Sequence, residues 1–447
     1  MSQFSRLDLG DEFKWGVSTS AFQTEGTHNK DGKGPSIWDD FSKKKGAIKH
    51  NEHARKATKF LTNYQEDLDM VKWMEIENFR FSIAWSRIFP EGIGKVNQKG
   101  VDFYNQLIDY CLLLGIKPWV TLYHWDLPLR LEEKGGWRNR DVVNWFLEYI
   151  EFCINTFGDR VENWMVLNEP TAFTGLGYFM GIHAPGKKGL KNFLPAMHHA
   201  ALANAEGGRM IKSLNHKLNV GTTLSLSPIE PFKQKESNYL AANRVDALLN
   251  KLYLEPLLGL GYPLEILPAF SKVEKYMTTN DEEKLKFNFD FIGVQNYSRE
   301  VVSFSWLTPI VKAKLISAKK RGVERTAMGW EYSPNAIYTI LKKLNEYEII
   351  PPIIITETGL ALEDQLDDEY KVKDQRRIEF LENSIQSVLK AKREGVKVDG
   401  YFVWSLTDNF EWAEGYRPRF GLLHVDYKTQ KRVPKDSAFW YKKFLTT

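Results

Sequence analysis

The sequence of 447 residues predicts an α/β fold, a single (β/α)8 barrel with long loops over its C-terminal face. Three observations predict it. Eight short apolar runs recur along the chain, helical patterns lie between them, and no linker, low-complexity tract or obvious repeat interrupts the series. Eight strand–helix units favour a closed barrel over an open doubly wound sheet, which is the alternative. We therefore expect one domain covering residues 1–447.

The apolar runs are the predicted barrel strands. They cover residues 13–17, 78–83, 117–123, 162–167, 220–226, 289–294, 352–356 and 398–404. The helical patterns repeat at three or four residues, as in Tyr64, Leu68, Val71 and Met74, and therefore keep one apolar face. Two long segments, residues 26–55 and 297–328, are predicted to be loops above the barrel.

Charge and composition argue against a nucleic-acid or membrane partner. The net charge is only +4, and the lysine run at residues 43–45 is too short for a nucleic-acid-binding tail. The N-terminus has no apolar signal-peptide core, and no run of about 18 apolar residues occurs. Cys111 and Cys153 fall on apolar helix faces, as buried thiols do. A reducing compartment fits them better than a disulfide, so we expect a cytoplasmic protein.

Polar side chains and tryptophans follow the predicted strands. Active sites of such barrels lie at the C-terminal ends of the strands. The residues that occur in or after the runs are Gln23, Glu25, Arg80, His124, Trp125, Asp126, Asn168, Glu169, Gln295, Asn296, Tyr297, Glu357, Trp404, Glu411 and Trp412. A purely structural barrel has no need of such a set, so we expect a functional site on this face.

Two glutamates carry the predicted chemistry. Cleavage of a glycosidic bond needs one carboxylic acid to protonate the leaving oxygen and one carboxylate on the other side of the sugar. Glu169 and Glu357 each follow a run too apolar to hold a surface glutamate by chance. Either one alone is equally compatible with a solvated strand end, but both together with a nearby Arg, Tyr and tryptophans predict a glycosidase.

Other motifs do not support a second chemistry. His198 and His199 are adjacent in a helical pattern and therefore point apart, whereas a metal site normally needs three convergent ligands. The glycines near Gly175 have neither the spacing nor the preceding strand of a dinucleotide-binding loop, and no GxSxG elbow occurs. We expect no metal and no cofactor.

At these residues the chain resembles glycoside hydrolase family 1, the β-glucosidase family. The resemblance covers nearly the whole chain, and its motifs stand in family order: FKWGVSTSAFQTEG, FRFSIAWSRIFPEG, TLYHWDLP, WMVLNEP, DFIGVQNYSRE, MGWE, IITETG, GYFVWSLTDNFEWAEGY and RFGLLHVD. It implies a (β/α)8 catalytic domain with Glu169 as acid/base after strand four and Glu357 as nucleophile after strand seven.

The resemblance also implies a sugar site. Trp404 would form the floor beneath the sugar and Trp330 would line the leaving-group side. The full set of implied substrate-binding residues is Gln23, His124, Trp125, Asn168, Gln295, Trp330, Trp404, Glu411, Trp412 and Phe420. Arg80 and Tyr297 are expected to stabilise the ionised form of Glu357, because charge-assisted hydrogen bonds favour a carboxylate. The negative charge of Glu357 should in turn raise the pKa of Glu169.

Three residues depart from the family pattern. Thr358 replaces the usual Asn of TENG, Gln295 replaces the first Asn of NYY, and Thr171 stands where a Trp often follows NEP. The first two should tune the pocket. The third removes an aromatic wall on the leaving-group side and leaves the leaving-group preference open.

The predicted function is that of a retaining, exo-acting β-glucosidase that hydrolyses terminal β-D-glucosyl residues, with β-galactosides and β-fucosides as further substrates. Its partners would be small β-glycosides and oligosaccharides. Two alternatives are a 6-phospho-β-glycosidase and a non-catalytic sugar-binding barrel. The carboxylate of Glu411 would repel a phosphate dianion, and the presence of both glutamates argues against a retired barrel.

Overall fold

The computed structural model describes residues 4–26 and 30–447, and its centre is a closed barrel of eight parallel strands. In chain order β1 to β8, the strands are Lys14–Ser18, Asn78–Ser82, Lys117–Tyr123, Asn163–Asn168, Asn219–Ser225, Phe291–Gln295, Ile353–Thr358 and Val398–Trp404. Each strand pairs with its neighbours in the chain, and β1 pairs with β8 to close the ring. The predicted barrel is confirmed, and the open sheet is wrong.

One long α-helix follows each strand. In chain order α1 to α8, the helices are Phe60–Trp73, Gln98–Leu113, Val142–Phe157, Leu190–Leu214, Glu236–Asp246, Ala336–Leu344, Gln375–Arg393 and Asp436–Thr446. Shorter α-helices are Ala21–Thr24, Ile37–Phe41, Trp85–Ile88, Leu129–Glu133, Pro170–Thr174, Leu254–Leu257, Asp281–Leu285 and Ala318–Arg321. The 3-10 helices are Arg6–Leu9, Lys30–Gly32, Lys49–Asn51, Gly136–Arg138, Pro268–Tyr276 and Trp412–Glu414, and two π-helices are Gly175–Met180 and Ala247–Lys251.

The barrel is filled by side chains, so it is a packed core and not a pore. Trp119, Met165, Phe291, Ile354 and Phe402 form a buried cluster inside it, with the Trp119 ring 5.1 Å from the Phe402 ring and 5.5 Å from the Phe291 ring. A much larger apolar layer lies between the strands and the helices. Because both faces of each strand are covered, the strands are continuous apolar runs that the sequence reveals directly.

The described parts of the two predicted loop segments lie over the C-terminal face, but they are more ordered than the sequence indicated; residues 27–29 of the first segment lie outside the described residues. Residues 297–328 contain strands Glu300–Phe304 and Ala313–Leu315, which form a three-stranded sheet with Ile229–Pro231. Val302 and Ala313 from this sheet pack on apolar residues of α5. That small core, made by segments far apart in sequence, stabilises strands too short to show a clear period.

Cys111 on α2 and Cys153 on α3 are free and buried, as predicted. Among the helices of the described residues, none is both long and apolar enough to cross a bilayer.

Candidate active site

A cleft of about 950 Å³ opens at the C-terminal ends of the barrel strands. Glu169, directly after β4, and Glu357, within β7, both line it. The two glutamates are 7% and 3% exposed, so each carboxyl group is largely removed from water. A cleft with two buried carboxyl groups is the arrangement that glycosidic bond cleavage requires.

Glu357 is held through both oxygens of its carboxylate. Its Oε1 accepts a hydrogen bond from Arg80, and its Oε2 accepts one of 2.7 Å from the hydroxyl of Tyr297. Burial raises the pKa of Glu357, and the Arg80 cation and the Tyr297 hydroxyl oppose that rise. Burial, followed by the charge of Glu357, raises the pKa of Tyr297 far above its usual value, so this phenol stays protonated and donates.

Glu169 begins a short helix in a backbone conformation that residues with a side chain rarely adopt, with φ 47° and ψ 63°. Its N–H donates to the carbonyl of Thr223 at 2.9 Å, which ties it to β5. Burial raises the pKa of Glu169 to about 8, with the charge of Glu357 as the second cause. The expected cause, the neighbouring carboxylate, is therefore present but smaller than burial. Near neutral pH, Glu169 is a protonated acid. The ionised form of the neighbouring Glu357 is stabilised by Arg80 and Tyr297.

Asn168 is linked to Glu357 through Arg80, which donates a hydrogen bond to each of them. Its Oδ1 accepts hydrogen bonds from Arg80 at 2.5 Å, Gln295 at 2.7 Å and Thr223 at 3.0 Å. The amide nitrogen is thereby turned toward His124 Nε2, 3.1 Å away. An amide nitrogen can only donate, so Nε2 accepts and the neutral imidazole carries its hydrogen on Nδ1. Burial and then the Arg80 cation lower the pKa of His124 well below its usual value, which keeps it neutral.

Gln23 and Glu411 meet on another wall of the cleft. The amide nitrogen of Gln23 donates to Asn409 Oδ1 at 2.9 Å and to the Phe410 carbonyl at 3.0 Å, and it lies 3.5 Å from Glu411 Oε2. Glu411 Oε1 is buried without a protein partner among the described residues. Burial raises the pKa of Glu411 to about 8. An unpaired acceptor in a cleft of this kind is available to a ligand hydroxyl.

Aromatic rings surround these polar groups. Trp412 lies 4.6 Å from Trp125 and 5.9 Å from His124, measured between ring centroids. Trp404 belongs to a second cluster with Phe420, against which Tyr297 and Trp330 pack. The flat apolar faces and polar edges of such rings suit a pyranose, which has an apolar face and a rim of hydroxyls.

Gly359 allows the ends of β7 and β8 to approach each other closely. A Cβ on Gly359 would lie 2.0 Å from the carbonyl oxygen of Trp404, far inside contact distance. The glycine after β7 therefore permits the end of β7, with Glu357, to lie against the end of β8, with Trp404.

Comparison with known proteins identifies the family of this chain. The sequence model described as Glycosyl hydrolase family 1 matches residues 6–447. The chain is 42% identical over 433 residues to Beta-glucosidase A of Thermotoga maritima, covering 96% of each protein. It is 39% identical over 445 residues to Beta-glucosidase A of Acetivibrio thermocellus, covering 99% of each. The solved structure of the family 1 β-glucosidase from Thermotoga maritima superposes with a TM-score of 0.92 at 40% identity, covering 98% of each chain.

The chain belongs to glycosyl hydrolase family 1. It is accordingly a glycoside hydrolase built on the (β/α)8 barrel of that family. A further structure of the Thermotoga maritima enzyme, in complex with glucoimidazole, also has a TM-score of 0.92, 40% identity and 98% coverage of each chain.

The family 1 barrel brings most of the predicted site residues into the cleft. Those lining it are Gln23, His124, Trp125, Glu169, Tyr297, Trp330, Glu357, Trp404, Glu411, Trp412 and Phe420. Arg80, Asn168 and Gln295 are fully buried and lie in the layer beneath. Gln295 in particular contacts Asn168, and its direct contact with a sugar stays a prediction.

Two residues that support the site are absent from the set predicted by the sequence. Thr121 on β3 accepts a hydrogen bond of 3.1 Å from Arg80, and Thr223 on β5 donates to Asn168. Both are polar side chains within otherwise apolar strands. A threonine inside a predicted apolar run is the sequence signal by which they could have been found.

Glu25, His198 and His199 have structural partners outside the cleft. Glu25 forms a buried ion pair with Arg87 at 2.7 Å. His198 contacts Asp281 and Tyr262, each at 3.0 Å, and His199 contacts the Trp137 carbonyl at 2.9 Å. Across residues 4–26 and 30–447, no three His, Cys, Asp or Glu side chains are grouped as metal ligands would be.

Proposed function

We propose that this family 1 chain is a retaining, exo-acting β-glucosidase, with residues 1–447 as one catalytic domain, Glu357 as nucleophile and Glu169 as acid/base. The observation that carries the proposal is the difference between the two glutamates. Glu357 is held through both oxygens by Arg80 and Tyr297, whereas burial raises the pKa of Glu169 to about 8. The carboxyl group whose ionised form is stabilised by a cation and a hydroxyl fits the nucleophile, and the one that stays protonated fits the acid.

In the first step, an oxygen of Glu357 attacks the anomeric carbon while Glu169 donates its proton to the leaving oxygen. The aglycone leaves as an alcohol, and the sugar becomes an ester of Glu357. Loss of the negative charge on Glu357 removes the interaction that helped to keep Glu169 protonated. The pKa of Glu169 then falls, because one of the two causes that raise it has disappeared.

In the second step, Glu169 acts as a base. It takes a proton from a water molecule that attacks the anomeric carbon, and the ester bond to Glu357 breaks. Two inversions at the same carbon give net retention, so the first sugar product is the β-anomer. Asn168 is fixed by Arg80, Gln295 and Thr223. In this proposal its amide contacts the sugar 2-hydroxyl as positive charge develops.

The alternative of a 6-phospho-β-glycosidase is less well supported by the charges at the sugar site. Glu411 lines the cleft as an acidic side chain, so it offers no positive charge to a phosphate group and opposes the dianion wherever it is ionised. Arg419 cannot compensate, because it pairs with buried Asp408 at 2.6 Å and with the Val425 carbonyl at 3.0 Å. A non-catalytic barrel would not need both buried glutamates.

A substrate panel tests the proposal directly. We expect nitrophenyl β-glucoside to be cleaved, β-galactoside and β-fucoside to be cleaved as well, and glucoside 6-phosphate to be the poorest substrate. Proton NMR during the first minutes should show β-glucose before mutarotation. An α-anomer as first product, or preference for the 6-phosphate, contradicts the proposal.

A cytoplasmic location is proposed on separate grounds. Cys111 and Cys153 are both free thiols, which is usual in a reducing compartment. Fractionation of the producing cells, followed by assay with nitrophenyl β-glucoside, should place the activity with the cytoplasmic markers. Activity in the medium or an extracytoplasmic fraction contradicts this location.

The pH dependence should follow the two glutamates. Glu169 must be protonated for the first step, so kcat/KM should be full below its pKa and fall as pH rises through about 8. Glu357 must be ionised, so kcat/KM should also fall on the acid side, as pH drops through the raised pKa of that group. Rates on nitrophenyl glucoside between pH 4 and about 10 measure both limbs.

Burial also raises the pKa of Glu411 to about 8, so the alkaline fall in kcat/KM has two candidate origins, Glu169 and Glu411. A variant distinguishes between them. In Glu169→Ala, kcat/KM for dinitrophenyl glucoside should lose its alkaline limb, because this leaving group needs no proton. Persistence of the limb in that variant would assign it to Glu411 instead.

Replacing the carboxylate on the sugar wall should weaken glucose binding. We expect Glu411→Ser to lower kcat/KM on nitrophenyl glucoside roughly 5- to 150-fold, as for leaving a buried hydrogen-bonding group without its partner, which costs about 1–3 kcal/mol. A 6-deoxyglucoside should lose less, since one of the expected hydroxyl contacts is already missing. Glu369→Ser, at a glutamate whose side chain is 72% exposed, is the charge-matched control. Unchanged kcat/KM in Glu411→Ser would remove this residue from the sugar site.

A further inference from the structure

Glu411 and Trp412 lie on one loop that follows β8. We call residues 409–418 the sugar-wall loop; it begins directly after Asp408 and ends directly before Arg419. Both Glu411 and Trp412 line the cleft, and Glu411 Oε1 is buried without a protein partner among the described residues. The position of that oxygen therefore depends on how the two ends of the loop are held.

An ion pair closes the base of the sugar-wall loop. Arg419 donates a hydrogen bond of 2.6 Å to Asp408 Oδ2 and one of 3.0 Å to the Val425 carbonyl. Asp408 Oδ1 accepts a further hydrogen bond of 3.0 Å from the N–H of Gly421. Asp408 is fully buried and the Arg419 side chain is only 17% exposed, so solvent screens the pair weakly. The pair joins the residue before the loop to the residue after it.

This pair is one end of a chain of alternating charges. The fully buried Lys435 donates to Asp408 Oδ1 at 2.7 Å and to Asp364 Oδ2 at 2.5 Å. Arg377 donates to Asp364 at 2.7 Å and also to Asp374. In order, the members of this ion chain are Arg419, Asp408, Lys435, Asp364, Arg377 and Asp374. Each buried charge has an opposite neighbour, which offsets its loss of hydration.

The ion chain attaches the sugar-wall loop to the helices outside the barrel. Arg377 belongs to α7, and Lys435 comes directly before α8. Arg377 also donates a hydrogen bond of 2.8 Å to the carbonyl of Arg419. The N–H of Lys435 donates to the Leu422 carbonyl at 3.0 Å. Side chains on packed helices keep a more constant position than a loop does, so they can fix the base of the loop.

The charge of Asp408 is constant near neutral pH. Burial raises the pKa of Asp408, but the cations of Lys435 and Arg419 outweigh burial and hold that pKa below its usual value. His424 Nδ1 also faces Asp408, at 3.5 Å from Oδ2. Burial lowers the pKa of His424 to about 4, so this imidazole is neutral near pH 7. A substitution, and not a change of pH, is therefore the way to open the ion pair.

We propose that Asp408 is a positioning residue for sugar recognition, which acts by pairing with Arg419 and thereby fixing Glu411 on the sugar-wall loop. Asp408 itself is outside the residues lining the cleft. The inference rests on the proposed β-glucosidase activity and on the proposed sugar contact of Glu411. Without the Asp408 carboxylate, Arg419 would be a largely buried cation that has lost its counter-charge, and it would move toward water or another acceptor. The end of the loop would move with it.

The test is a double-mutant cycle of Asp408→Asn and Glu411→Ser, assayed on nitrophenyl β-glucoside. Asp408→Asn keeps the side-chain shape and removes the charge. We expect it to lower kcat/KM about fivefold in the parent enzyme and less than about twofold in the Glu411→Ser background, where the contact that it positions is already lost. Rates are expressed per active site, titrated with dinitrophenyl 2-deoxy-2-fluoroglucoside, so unfolded protein is not counted.

Asp67→Asn is the matched control. Asp67 is also fully buried and accepts hydrogen bonds of 2.7 and 2.9 Å from Arg432, but neither residue lines the cleft or belongs to the ion chain. Asp67→Asn should lower Tm, as Asp408→Asn does, because each leaves a buried arginine without its carboxylate. Its kcat/KM per active site should stay within about twofold of the parent value in both backgrounds.

Variants of Arg419 open the same pair from the other side, and they keep the test decisive if Asp408→Asn does not fold. Arg419→Met should lower kcat/KM about as much as Asp408→Asn, and its effect should also be smaller in the Glu411→Ser background. Arg419→Lys retains the cation and should lose less activity than Arg419→Met. Equal losses for lysine and methionine would show that the charge of the pair does not position the loop.

The outcomes separate this inference from the proposed function. If Asp408→Asn and Arg419→Met lower kcat/KM by the same factor with and without Glu411→Ser, the ion pair is structural only and the positioning role is overturned. If Glu411→Ser alone has no effect, the sugar contact of Glu411 is wrong and the inference is overturned with it. Failure of the parent enzyme to cleave any β-glucoside overturns the proposed function itself.

Discussion

Glu357→Gly should lower the hydrolysis of nitrophenyl β-glucoside by about 10⁴-fold or more, the scale of loss when a covalent nucleophile is removed. No ester intermediate can form without this carboxylate. Arg80 and Tyr297, which both donate to it, would lose their shared acceptor. Steady-state rates on the parent and the variant, compared at equal concentrations of folded protein, measure the loss.

The cavity left by the missing side chain gives the variant a distinctive chemistry. Azide entering from that side should attack nitrophenyl β-glucoside once and give α-glucosyl azide. An α-glucosyl fluoride resembles the missing intermediate, so the variant should transfer glucose from it and build new β-linkages. Neither reaction is expected of a protein that has merely unfolded, so both serve as controls for folding.

The more conservative Glu357→Gln keeps the side-chain volume and separates shape from charge. It should be nearly as inactive toward nitrophenyl β-glucoside but should not be rescued by azide, because no cavity is opened. Trapping of a 2-fluoroglucosyl group on Glu169 of the parent enzyme, found by peptide mass spectrometry, would show that the two roles are reversed.

The barrel was predictable because its strands are buried on both faces. The predicted runs at 78–83, 117–123 and 398–404 agree with β2, β3 and β8 to within one residue. The largest shifts are of two residues, at the start of β6, predicted from residue 289 and observed from Phe291, and at the end of β7, predicted at residue 356 and observed at Thr358. Phe289 is buried although it precedes the strand, so burial alone could not mark the start of hydrogen bonding.

The small sheet above the barrel could not be predicted in the same way. Strands Ile229–Pro231 and Ala313–Leu315 have three residues each, too few to establish a period of two. They form because Val302 and Ala313 find an apolar face on α5. That contact depends on the fold and is not visible in the local sequence.

The sequence predicted which residues belong to the site, but not which of them line the cleft and which lie beneath its wall. The strand ends and the family motifs indicated which side chains belong together. They did not indicate that Asn168 and Gln295 lie beneath the cleft wall, or that Thr121 and Thr223 support them. Those relations depend on the register between neighbouring strands, which a single sequence does not specify.

Glu169→Ala should separate the two steps of the reaction, because Glu169 serves as acid in the first and as base in the second. Substrates with poor leaving groups, such as cellobiose, should lose about 10² to 10⁴-fold in kcat/KM, the usual contribution of a general acid. Dinitrophenyl glucoside needs little protonation, so its first step should survive. Rapid-quench measurements should show a burst of dinitrophenol followed by slow turnover.

In this variant the covalent sugar on Glu357 should accumulate, because no base activates water for the second step. Azide needs no base, so it should restore turnover on dinitrophenyl glucoside and give β-glucosyl azide, the anomer opposite to that from Glu357→Gly. Asp126→Ala, at a buried carboxyl group outside the residues lining the cleft, is the control and should not respond to azide. If the azide products of the two glutamate variants share one anomeric form, the assignment of Glu169 and Glu357 is wrong.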